Sequence, residues 1–196
     1  MEIKSMLKSI KEDKLIFAEF ISALLYSIGI PGMNIATYSN MDSKLLSLLN
    51  LIGTITGIFI PILWVKYGKK IYKYTVKLTV IEIVEYVILL ILLLCNLISP
   101  VIWTIIEKTA ISVVTRNLSS ASIMIHAERY NTKDKRYIYD SVTNAVVPIG
   151  TVIGYLLNLI TNISVEFSFG IFVIGVIIYD LLYIYIYIYI YIYIYQ

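Results

Sequence analysis

Two cations stand inside a stretch of this chain that is otherwise apolar enough to sit in lipid: Lys108 and Arg116, within the run from Val101 to Ile125. Wound as a helix, that run places Lys108, Ser112, Thr115, Arg116, Ser119 and Ser122 on one face and Ile111, Val114, Leu118, Ala121 and Ile125 on the opposite one. A charged side chain in the hydrocarbon core costs at least about 2.5 kcal/mol, so two of them on one stripe require a water-filled cavity or buried acidic partners. A structural ion pair, Arg116 with Glu85 or Glu19, or Lys108 with Glu107, is the plain alternative to cavity lining. A stripe of hydroxyls with one guanidinium holds a polar solute, and it suits sugars, anions, peptides or drugs alike. Bond-making chemistry has little to work with. His126 is the only histidine, beside Glu128 and Arg129, and no second histidine or glutamate pair accompanies it at metal-ligand spacing. Cys95 is the only cysteine, which excludes an intramolecular disulfide and a cysteine-rich metal site. The expectation is therefore no catalytic residue, no metal, no cofactor and no enzyme.

The elements that must position these residues follow from composition. The chain has 196 residues, 59% hydrophobic and 15% charged, with a mean hydropathy of +0.84; an ordinary soluble domain is more polar. A membrane span needs about 20 mostly apolar residues. Six segments qualify: 15–37, 45–65, 78–97, 101–125, 142–163 and 167–186. They use nearly the whole chain, which excludes a large water-exposed enzyme on a single anchor. The fold class expected is all-α, a polytopic bundle of six transmembrane helices with the lipid bilayer as its solvent.

The net charge of +3 is an orientation signal and not a nucleic-acid footprint, because of where the cations fall. Lys4, Lys8, Lys11 and Lys14 precede the first span. Lys66, Lys69, Lys70, Lys73 and Lys77 lie between the second and third, and Arg129, Lys133, Lys135 and Arg136 between the fourth and fifth. The opposite loops carry only Lys44. The positive-inside rule puts the N-terminus in the cytoplasm and, with six spans, the C-terminus as well. The charged start followed by a long apolar stretch has no small-residue cleavage pattern, so it is a retained first helix and not a signal peptide. Usage rich in Ile, Lys, Asn and Tyr fits an A/T-rich bacterial genome and a cytoplasmic-membrane location.

Local features qualify the six spans. Gly29, Pro31 and Gly32 predict a kink or a broken last turn at the end of the first. Gly53 and Gly57 in the second, and Gly150 and Gly154 in the fifth near Pro148, have the four-residue spacing that lets helix backbones approach in lipid. The third is Leu and Ile on nearly every face and is expected to be the most lipid-exposed, with Glu82 and Glu85 snorkelling or pairing with the basic loop. From Tyr183 to Tyr195 the chain alternates Tyr and Ile strictly. That pattern matches translation through an alternating A/T dinucleotide tract, with the natural frame lost near Asp180. Exposed, residues 183–196 would be an aggregation-prone low-complexity tail; as a helix, they would complete the sixth span.

The segment Pro61-Ile-Leu-Trp-Val65-Lys66-Tyr67-Gly68-Lys69-Lys70 resembles the signature loop of the major facilitator superfamily: a glycine, three residues, an aspartate, a basic residue, any residue, a glycine, then basic residues. Lys66, Gly68, Lys69 and Lys70 match. Pro61 stands where the first glycine would be and Val65 where the aspartate would be, so the acidic half of the family's charge contact is missing. Arg116-Asn-Leu-Ser119-Ser120 is similar to the arginine motif in the fourth span of proton-coupled members, with serines replacing glutamine and glycine. Pro148, Gly150 and Gly154 are similar to the glycine- and proline-rich fifth span of the antiporters. The resemblance covers residues 1–180 and only half of the family's fold, whose members rock two six-helix bundles about a central site. It implies a truncated and impaired N-terminal half of a secondary transporter for a small solute. Arg116 would be the binding or proton-coupling cation, with Lys108 nearer the outside, Glu19 a partner from the first span, and Ser112 and Ser119 along the path. The bundle's own partner would be a missing C-terminal half or a second copy of the chain; a non-transporting membrane subunit and an intramembrane enzyme are the other classes compatible with six spans.

Overall fold

The computed structural model describes residues 14–129, 133–161 and 163–194, and these fold into six helices with no strand among the described residues. They are α1 Lys14–Tyr38, α2 Ser43–Tyr72, α3 Thr75–Leu94, α4 (100–129), α5 Lys133–Thr161 and α6 Val165–Ile194. Lys4, Lys8 and Lys11 of the first basic cluster lie outside the described residues, as do the side chains of Lys69, Ser122, His126, Arg129, Lys133 and Lys135.

Among the described residues four stretches are long and apolar enough to cross a membrane: Ile16–Tyr38, Ser43–Gly68, Asn144–Thr161 and Val165–Ile188. Large apolar side chains on these helices face outward, Leu159 at 81% exposure and Ile160 at 75% among them. A water-soluble domain does not leave such surface bare, and a bilayer covers it. The chain is an all-helical membrane protein. α3 and α4 lie outside these four, each with three ionisable residues within a span's length: Lys77, Glu82 and Glu85 in α3, Glu107, Lys108 and Arg116 in α4.

The connection from α3 to α4 is built from local chemistry alone. Asn96 takes a left-handed conformation, φ 56°, which the short polar side chain of asparagine tolerates. The turn then closes with Leu97 N–H donating to the Leu92 carbonyl at 2.9 Å and Asn96 N–H to that of Leu93 at 3.0 Å. This is the paired closure that satisfies the last free carbonyls of a helix. Two residues later Ser99 caps α4, its hydroxyl accepting from Ile102 N–H at 3.3 Å, with Pro100 next to it in the first turn. At α6 the Ser164 hydroxyl accepts from Phe167 N–H at 3.2 Å in the same way.

By contact the chain divides into two compact units, residues 1–32 with 126–196, and residues 33–125. α1 runs on through Pro31 to Tyr38 without a broken turn, and its part in the first unit lies close against both α5 and α6. A Cβ added at Gly150 would stand 2.6 Å from Ser27 Cβ, and one at Gly154 would stand 2.9 Å from Pro31 Cγ and nearer still to the Ile28 carbonyl. Gly175 of α6 meets the backbone of Ser22 and Tyr26 as closely. Bare glycine is what permits these approaches, and in lipid such packing drives helix association. Tyr26 and Phe172 meet edge to face, 6.3 Å between ring centroids. Phe169, Val173 and Val146 are fully buried there, together with the polar Ser22, Ser27 and Ser168.

In the second unit α3 packs on the first part of α4, where Trp103 is completely buried and lies 5.9 Å from Tyr86 between ring centroids. Thr37 and Thr104 share a buried hydrogen bond of 2.9 Å. α4 is not a uniform helix. Between Pro100–Ile106 and Ser112–Arg129 it makes one π turn, Glu107–Ile111, against which α2 packs. Ser112 N–H reaches back five residues to the Glu107 carbonyl. The Thr109 hydroxyl donates to the Ile105 carbonyl at 2.6 Å and that of Ser112 to the Lys108 carbonyl at 2.7 Å. Hydroxyls bonded back onto the preceding turn compete for its carbonyls, and two of them sit at the widened turn here.

Candidate functional site

The apolar side of α4 turns inward, with Ile111, Leu118 and Ala121 buried, and the polar side turns outward, with Arg116 and Ser119 exposed. Arg116 makes no ion pair among the described residues, to Glu85 or to any other carboxylate. Its guanidinium lies over Gly57 of α2: a Cβ at that glycine would sit 3.7 Å from both Cζ and Nε. That is ordinary van der Waals contact, so Gly57 seats the base of the cationic group while its face stays open. The next residue, Asn117, ties the two helices together, its side-chain carbonyl accepting from Trp64 Nε1 at 3.0 Å.

Lys108 belongs to the π turn and is paired with the adjacent Glu107, 3.3 Å from Nζ to Oε2. The two side chains are 38% and 19% exposed, so this is a partly screened pair between neighbours and adds little stability. Ser112 spends its hydroxyl on the backbone of the same turn. The continuous stripe expected of a regular α-helix is therefore interrupted at its Lys108 end. Glu19 is buried in the other compact unit, on α1.

The basic motif sits elsewhere than in a loop. α2 continues to Tyr72, so Lys66, Gly68, Lys69 and Lys70 ride on its last turns, and Lys73 and Tyr74 alone connect it to α3. Lysine is a good helix former and favours the negative end of a helix, which explains the extension. Gly68 is buried where a side chain would press on the Trp64 ring, 3.2 Å from Cε3. Lys66 and Lys70 are exposed. Of the helix-packing glycines, Gly150 and Gly154 meet α1, Gly57 meets Arg116, and Gly53 has nothing within 4 Å. Pro148 lies inside α5 with its ring exposed.

No family model, curated protein or solved structure matches this chain.

Sequence reasoning missed one polar contact of the second unit. Glu82 does not snorkel and pairs with no lysine among the described residues: it is 3% exposed and accepts a hydrogen bond of 2.6 Å from the Thr115 hydroxyl of α4. The signal was present in the spacing. Thr75, Thr79, Glu82, Tyr86, Leu89 and Leu93 recur at alternating intervals of four and three and form the buried stripe of α3. Polar residues confined to one stripe of a helix otherwise made of Ile, Leu and Val mark the face that meets protein.

Proposed function

We propose that this chain forms one six-span wall of a secondary transporter for a small solute, and that it works with a second six-helix bundle, either a C-terminal half or another copy of itself. The observation that carries the reading is Arg116. An always-charged group on a helix whose apolar face is buried, presented outward beside an exposed serine and with no counter-anion among the described residues, is costly in lipid and useful only against water or a polar solute. In an isolated half of a two-bundle transporter, the wall of the central path is the polar surface left uncovered. α3 and α4 span in this reading despite their ionisable residues, because Glu82 is taken up by Thr115, Lys108 by Glu107, and Arg116 faces the path. The basic turns ending α2 then lie on the cytoplasmic side, as do the N-terminus and the cations around residue 133.

The test uses the purified chain in detergent and a panel of small solutes: sugars, carboxylates, phosphates and amino acids. A solute held at Arg116 raises the unfolding temperature, since a ligand at 100 times its Kd stabilises by about 2.7 kcal/mol. Arg116→Ala abolishes that shift and Arg116→Lys, which keeps charge but loses the planar fork, retains part of it. A stabilising solute whose effect is the same in Arg116→Ala and in the parent overturns the assignment of Arg116.

A further inference from the structure

Glu82 is the one carboxylate of the second unit that is almost wholly withdrawn from solvent, and among the described residues no cation pairs with it. On its own helix the neighbouring ionisable group is Glu85, and from α4 the nearest is Glu107, which is itself occupied by Lys108. Its single hydrogen bond comes from Thr115, a neutral hydroxyl. A carboxylate buried among two other acidic groups and given only one neutral donor lacks what a buried charge requires, a counter-ion or several donors. The carboxylic acid, by contrast, carries no charge to compensate: one oxygen accepts from Thr115 Oγ1 and the other carries the proton.

We infer that Glu82 is a proton-binding site of this protein, and that its partner Thr115 links the gain and loss of that proton to the turn of α4 that carries Arg116. Thr115 and Arg116 are consecutive, so a change in the Glu82 hydrogen bond acts on the backbone that aims the guanidinium over Gly57. When the proton leaves, a negative charge remains at the α3–α4 contact, and α4 must shift to bring water or a cation to it. The proton itself passes to water. The inference deepens the transport reading by assigning the coupling ion, but proton binding at Glu82 is observable without any solute.

The experiment is infrared difference spectroscopy of the full chain in lipid nanodiscs across a pH titration. Glu19 and Asp180 are buried carboxyl groups as well, so the comparison with variants isolates Glu82. The expected result is a neutral-carboxyl C=O band that disappears as pH rises, is missing from Glu82→Gln, and moves in frequency in Thr115→Val, where the hydroxyl donor is gone and the shape is kept. A set of carboxyl bands identical in the parent and in Glu82→Gln overturns the inference. So does a Glu82 band that Thr115→Val leaves unmoved, since the link to α4 is then absent. Thr115→Val changes no charge, and keeps the test informative if Glu82→Gln fails to fold. A positive infrared result combined with solute binding indifferent to Arg116 would retain the proton site and remove the transport reading.

Discussion

At the scale of single residues, Gly154 and Gly53 are chemically identical and respond oppositely to one added methyl group. At Gly154 the new Cβ meets the Ile28 carbonyl and the Pro31 ring, both part of the α1 backbone region, so neither can rotate away. Gly154→Ala is expected to cost about 1–3 kcal/mol through overpacking. At Gly53 nothing lies within 4 Å, and Gly53→Ala gains up to about 1 kcal/mol because alanine loses less backbone freedom in a helix. Thermal unfolding of the two variants in one detergent checks the pair, and equal shifts in the same direction would contradict the geometry. Both glycines were conspicuous in the sequence by their four-residue spacing. What spacing cannot say is which face of a helix meets another helix, and here the same motif meets α1 in one unit and the Arg116 guanidinium in the other.

At the scale of the element, α4 carries its irregularity as a single widened turn, and this sets its tolerance to deletion. A turn closed over five residues holds one more residue than an α turn, so removing Ala110, which is exposed within Glu107–Ile111, lets the helix close regularly with the flanking faces still in register. Removing the buried Ala121 from the regular part rotates every later residue of α4 by about 100° relative to the buried Ile111 and Leu118. The deletion of Ala110 is expected to leave the unfolding temperature in detergent close to that of the parent, whereas the deletion of Ala121 lowers it sharply or prevents recovery of folded protein. The π turn was not legible beforehand. A 3.6-residue projection assumes a uniform helix, and hydroxyls bonded back to carbonyls do not mark the departure, because Thr79 and Thr151 make the same bond in regular turns. The stripe of α3 was legible in principle, from Thr75 and Thr79 leading to Glu82, but the Ile and Leu run that follows Tyr86 drew the reading toward lipid exposure.

For the whole molecule the open question is how many of the six helices cross the membrane, and α3 decides it. Its 20 residues give about 30 Å of helix, the thickness of the hydrocarbon core, so length permits a span. Composition resists it only through Lys77 in the first turn, which can reach the interface, and through Glu82 and Glu85 within the first three turns. The chain carries its own probe of the answer. Cys95, the sole cysteine, is exposed just beyond the C-terminal end of α3, and Lys73 is exposed just before its N-terminal end. If α3 crosses, the two positions lie on opposite sides, and the lysine-rich side is cytoplasmic. A membrane-impermeant maleimide applied to intact cells is then expected to modify Cys95 in the parent but not the new thiol of Lys73→Cys made in a Cys95→Ser background, and to modify both after permeabilisation. If only the four uninterrupted apolar helices cross, α3 and α4 stay on one side, and both thiols respond alike in intact cells. That result would remove the six-span wall on which the placement of Arg116 along a transport path depends, while leaving the Glu82–Thr115 contact as a feature of a helical pair outside the hydrocarbon.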